Sequence, residues 1–87
     1  MSANELRESV CSQVARILRD ERKSQRLSMT RLAERAGLSQ SMISLIEHDL
    51  RNPSLDTLLR ITAVLEIELP EVLIKAKAAA LKANRRG

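Results

Sequence analysis

The chain reads as an all-α protein of five helices, with no segment that reads as a strand. Two observations predict this, and a third bounds the core. Apolar residues recur three and four positions apart through most of the sequence, the period of a half-buried helix. Cap and breaker residues (Ser28, Gly37, Ser39, Ser54, Pro70) interrupt that period at helix-length intervals. Aromatic residues are absent, so the core must be built from Leu, Ile, Val, Met and Ala.

Leu6, Val10, Val14, Ile17 and Leu18 trace an apolar stripe on a first helix that begins near Asn4 and ends near Gln25. Its opening, MSANELRES, is polar and prone to fray. A second helix follows Ser28, a good N-cap, and spans about Met29 to Ala36; Arg31 stands where a capping box would have Glu. Leu32, Ala33 and Ala36 give it one apolar edge. Gly37 breaks the period and suits a left-handed turn. Leu38 packs in that turn, and Ser39 caps a third helix spanning about Gln40 to His48. There Ile43, Ile46 and Leu50 repeat at helical spacing, while Gln40, Ser41, Ser44 and His48 fall largely on the opposite side.

The loop DLRNP ends at Pro53, and Ser54 opens a fourth helix on which Leu55, Leu58, Leu59, Thr62 and Leu65 share a face. Pro70 and Glu71 mark the first turn of a fifth. Val72, Leu73, Ala76, Ala79, Ala80 and Ala83 follow helical spacing, and KAKAAALKAN has high helix propensity. A purely structural fifth helix would not need residues beyond about Ala76. This one has three courses open: projecting into solvent, packing along the first helix, or pairing with a second subunit.

Helices two and three, joined by a tight turn, have the layout of a helix-turn-helix whose second helix can enter a major groove. The segment LSMTRLAERAGLSQSMISLIEHDLRNPSLDTLL, from Leu27 to Leu59, resembles the helix-turn-helix family of phage Cro and cI repressors, the XRE family. The resemblance rests on Arg22, Leu32, Ala33, Gly37, Leu38, Ser39, Ile43, Ile46, Glu47, Arg51, Asn52, Pro53, Ser54 and Leu55, and it covers roughly Val14 to Leu73. It implies a five-helix, lambda-repressor-like DNA-binding domain. Three positions depart from the family: Met29 replaces its usual glutamine, and Asp49 and Glu66 replace its usual glycines.

Eighty-seven residues suit a single domain, with the helix-turn-helix core at about 14–74 and a C-terminal helix or tail at 75–87. Fifteen Lys and Arg against eleven Asp and Glu leave a net charge of +4, which favours an anionic partner. The basic residues cluster. Arg16, Arg19, Arg22, Lys23, Arg26, Arg31 and Arg35 crowd the first two helices, and Lys75, Lys77, Lys82, Arg85 and Arg86 make the tail basic. Solvated faces are the plain reading of any one of them; beside a helix-turn-helix, phosphate contacts are the collective reading. Without Phe, Tyr or Trp, base-stacking recognition of single strands is excluded. Cys11 is alone, which rules out an intrachain disulfide and suits a reducing cytoplasm. No leader or membrane-length apolar run is apparent, so a soluble cytoplasmic protein is expected, and the family resemblance implies a bacterial or phage setting.

Gln40 is the first candidate base reader, because a side-chain amide can bond both N6 and N7 of adenine. Ser41 and Ser44 can bond a base edge or a phosphate, or be ordinary surface serines. Leu45 can touch a thymine methyl or pack on its own helix. Ser39 caps the helix and, with the free N–H groups of the first turn, offers a phosphate site. By the resemblance, Arg51 and Asn52 contact backbone phosphate; His48 can join them or be simply exposed. Met29 falls on a family phosphate position with a side chain that departs from the family. Arg22 and Glu47 match a partly buried structural ion pair of the family, and Met42 fills a gap beside the core.

One His and one Cys support neither a catalytic triad nor a zinc site, and no glycine-rich phosphate loop is present, so no enzyme, cofactor or metal is expected. The leading expectation is a sequence-specific, double-stranded-DNA-binding transcriptional regulator, a repressor acting as a homodimer on half-sites roughly 10 bp apart. Activation and a controller role in a restriction–modification operon stay open. The rival is an antitoxin or partner-binding regulator whose fifth helix grips another protein. Sequence-blind packaging ranks last, because the recognition face is short, polar and nearly uncharged.

Overall fold

The computed structural model describes residues 1–86 and contains five helices: α1 (Ala3–Ser24), α2 (Met29–Ala36), α3 (Gln40–Glu47), α4 (Leu55–Leu65) and α5 (Leu69–Arg86). No strand occurs among the described residues. Of the expected basic tail, Gly87 and the Arg86 side chain lie outside the described residues.

Four helices start by one device. Ser2, Ser28, Ser39 and Ser54 are N-caps whose hydroxyls accept the backbone N–H three residues on, at 3.0–3.1 Å. Each such cap is worth about 1 kcal/mol. Ser2 explains why α1 is already helical at Ala3, where fraying was expected.

Helix ends share a device too. Arg26, Gly37, Asp49 and Glu66 all have positive φ, and only one of them is glycine. After each, an N–H reaches back five residues: Leu27 to Arg22, Leu38 to Ala33, Leu50 to Leu45 and Ile67 to Thr62, at 2.9–3.1 Å. These bonds satisfy carbonyls that the helix ends would otherwise orphan. Asp49 and Glu66 therefore keep the turn geometry that the family makes with glycine. At α4 the side chain of Gln25 adds a further bond, donating to the Leu65 carbonyl at 2.7 Å.

Leu18, Leu32, Ile43, Ile46, Ile61 and Leu65 form the centre of the core, and all five helices contribute to the buried cluster. Burying each of these side chains contributes about 1.5–3 kcal/mol. The most extensive helix pair is α1 with α5. Ala76 and Ala80 are fully buried, and a side chain that stops at Cβ lets two helices approach closely. Helix five thus takes the second of its open courses, and its structural part extends past Ala76 to Ala80.

Three expected apolar faces shift. Leu50 is 73% exposed, because α3 ends at Glu47 and Leu50 falls beyond it. On α4, Leu58, Thr62 and Leu65 face inward as expected and Ile61 joins them, while Leu55 and Leu59 are exposed. That run holds two apolar faces at helical spacing, and contact with α2 and α1 selects one. On α5, Leu73 and Ala83 are exposed. No helix among the described residues is long and apolar enough to cross a membrane.

Candidate nucleic-acid interface

The unit begins at the α2–α3 turn. Gly37 sits at φ +71°, and a Cβ built there would lie 3.1 Å from Arg60 Nη1. That guanidinium donates to the Ala36 carbonyl at 3.4 Å while its Nε donates to Asp56 at 2.8 Å. Arg60 therefore braces the turn from α4. Nothing in the sequence singled it out, because the contact spans 24 residues.

Helix α3 is held from behind. Ile43 and Ile46 are buried in the core, and Glu47 is only 5% exposed. Arg22, 7% exposed, donates from Nε to Glu47 Oε2 at 2.7 Å and from Nη2 to Oε1 at 2.9 Å, while Nη1 donates to the Leu27 carbonyl at 2.7 Å. This bidentate pair clamps α3 to α1. The hydrogen bonding that Arg22 donates to Glu47 lifts the Arg22 pKa above the ordinary arginine value, burial works against it, and the opposite charge of Glu47 adds to the rise.

The outward side of α3 carries Gln40, Ser41 and Leu45, all exposed, Leu45 at 38%. Ser44 is half-buried and Met42 packs against the core. Ser39 is exposed at the N-terminus, its oxygen accepting the Met42 N–H at 3.1 Å. His48 is exposed but folded back: Nδ1 lies 2.7 Å from the Ser44 carbonyl. A carbonyl only accepts, so Nδ1 carries the proton and Nε2 is left for other partners.

Arg51 and Asn52 are exposed on the loop after α3. Asp49, at the head of that loop, accepts a hydrogen bond from Ser12 Oγ of α1. Met29 is half-buried against the core at the start of α2, so a thioether fills the place of a polar contact. Arg31 and Arg35 are exposed on α2, and Arg16 on α1.

Behind the loop lies a cavity of about 120 Å³ walled by Val10, Cys11, Val14, Pro53, Leu58 and Leu73. It is smaller than the roughly 300–1,000 Å³ of usual ligand pockets. Among the described residues no three His, Cys, Asp or Glu side chains come together as metal ligands would.

A short helix exposing a polar face, clamped from behind and led in by a glycine turn, defines a helix-turn-helix protein. The Helix-turn-helix family model matches residues 18–72, from the last third of α1 to the first turn of α5. The chain belongs to this family, in its XRE type, a family of DNA-binding transcriptional regulators. It is 36% identical over 59 residues to the uncharacterized HTH-type transcriptional regulators MT0491 and Rv0474 of two Mycobacterium tuberculosis strains. Those matches cover 68% of this chain and 42% of each relative, so the chain spans less than half the length of the relatives it matches. In fold it is similar to the clp gene regulator ClgR from Corynebacterium glutamicum, whose crystal structure matches with a TM-score of 0.79 at 23% identity. That likeness covers 88% of this chain and 83% of the other, and it is a likeness of fold.

Proposed function

We propose that these five helices form one DNA-binding domain that reads duplex DNA through α3 and represses transcription as a homodimer. One observation carries the reading: Ile43, Ile46 and Glu47 anchor α3 while Gln40, Ser41 and Leu45 on its other side are exposed. The base-reading role falls on Gln40 first, as an adenine contact, then on Ser41, Ser44 and Leu45. The phosphate roles fall on Ser39, His48, Arg51 and Asn52, which surround that face at the helix ends and on the following loop. Met29, packed against the core, contributes least.

Family membership supports regulation, and the two-fold symmetry usual for this motif supports a homodimer with half-sites roughly 10 bp apart. Blocking polymerase is the consequence usual in the family, and the unpaired Cys11 suits the reducing cytoplasm of a bacterial or phage-infected cell. The antitoxin reading needs a free apolar stripe on the fifth helix; Ala76 and Ala80 are buried within the domain, but Leu73, Ile74 and Leu81 are exposed, and they keep a partner-binding fifth helix as the second reading.

The test is enrichment of binding sites from a random duplex library at roughly physiological salt, where nonspecific binding is suppressed. A two-fold-symmetric motif is expected. Bulk binding with no motif would remove the base-reading role from Gln40.

A further inference from the structure

Two arginines of α1 have no task in the scaffold. Arg16 is exposed and forms no ion pair among the described residues. Arg19 meets only its neighbour Asp20, at a loose 3.8 Å. Both line a cleft of about 300 Å³ that separates α1 from the C-terminal end of α3. On its other wall stand Glu47, His48 and Asp49. Glu47 is already paired with Arg22, and Asp49 accepts a hydrogen bond from Ser12. Arg16, unpaired among the described residues, and Arg19, only loosely paired with Asp20, therefore face Asp49 and a Glu47 whose charge Arg22 already offsets.

The position of the cleft matters as much as its charge. His48 continues the outward stripe of α3, seven residues beyond Ser41, which is about 10 Å along a helix. The major groove is about 12 Å wide. With the first turn of α3 on the base edges, its far end stands beside a wall of the groove, where backbone phosphates run. We propose that this cleft is a phosphate seat for duplex DNA, in which Arg16 and Arg19, with His48 Nε2 opposite, grip the backbone at the C-terminal end of the recognition helix. The assignment rests on α3 entering the major groove. It makes α1 part of the contact surface and fixes the tilt of α3 from its far end, while Ser39 and its helix N-terminus fix the near one.

The test uses the full chain and an end-labelled duplex bearing its selected site, with affinity measured from about 50 to about 200 mM salt. Each lost phosphate contact lowers the slope of log affinity on log salt by about 0.9. R16Q/R19Q should therefore flatten it by about 1.8, with an unchanged base preference. K75Q/K77Q removes the same charge from α5 and should change the slope by less than about one unit. An unchanged slope in R16Q/R19Q, or equal losses in the two pairs, would overturn the cleft while leaving the groove-reading proposal standing. A wild-type chain that binds no duplex would overturn both. Circular dichroism checks folding; should the double variant unfold, R16Q and R19Q are read singly, at about 0.9 each.

Discussion

Replacing Arg22 by Met is expected to cost more stability than any surface change. Arg22 and Glu47 are 7% and 5% exposed, so neither has water to fall back on when its partner goes. R22M leaves the Glu47 carboxylate buried without its two charge-assisted bonds, and it also orphans the Leu27 carbonyl. Breaking one side of a buried pair costs about 3–5 kcal/mol. Chains of this length are stable by roughly 4–13 kcal/mol in all, so the variant should sit near the edge of folding. At about 4–8 °C per kcal/mol, its melting temperature should fall by at least about 12 °C.

E47Q keeps an acceptor for the guanidinium and should lose less, about 1–3 kcal/mol. R22M/E47L removes both charges and should recover most of the loss. Urea unfolding followed by far-UV circular dichroism reads all three, because a chain without aromatics has no intrinsic fluorescence to follow. A raised arginine pKa stabilises fully below the unfolded value and is lost only as pH climbs through the folded one. The R22M cost should accordingly stay constant from about pH 7 to about pH 10. A cost below about 1 kcal/mol would put the pair with solvent-exposed ones and refute the clamp.

Other substitutions probe the remaining elements. Gln40→Ala should relax preference at a single base pair by about 1–3 kcal/mol, and a repeated library selection would show it. Arg51→Ala should weaken all sequences alike and flatten the salt slope by about 0.9; a loss confined to one base position would contradict the phosphate role. Glu66→Gly relieves a left-handed residue that makes no side-chain bond among the described residues, and should raise stability by about 1 kcal/mol in thermal melts. Asp49→Gly relieves the same strain but loses the Ser12 bond, so its gain should be smaller. Ala80→Leu pushes extra methylenes into the α1–α5 contact and should cost about 1–3 kcal/mol; a neutral melt would mean that α5 is not seated there.

The recognition unit was legible because its signals are local. Ser28, Gly37 and Ser39 act on backbone within three or four residues, and the Ile43–Ile46 spacing states which side of α3 turns inward. Glu47 and Arg22 are 25 residues apart, and they were linked by family resemblance, since no period connects them. Four contacts lay beyond both routes: Arg60 on the Ala36 carbonyl, Gln25 on the Leu65 carbonyl, Ser12 on Asp49, and the Arg16–Arg19 wall beside His48. Each brings a polar side chain to a partner distant in the chain, and a polar residue carries no periodic mark of where it will point.

By itself the sequence determined the five helices, the caps at Ser28, Ser39 and Ser54 and the outward face of α3, because caps and periodic burial are settled by neighbours a turn away. Only the tertiary structure decided which of two apolar faces α4 buries, whether Leu50 belongs to the core, and where α5 lies. Those choices depend on the competing surfaces of other helices. Leu55 and Leu59 are as apolar as Leu58 and Leu65, and only packing against α2 and α1 tells the two faces apart.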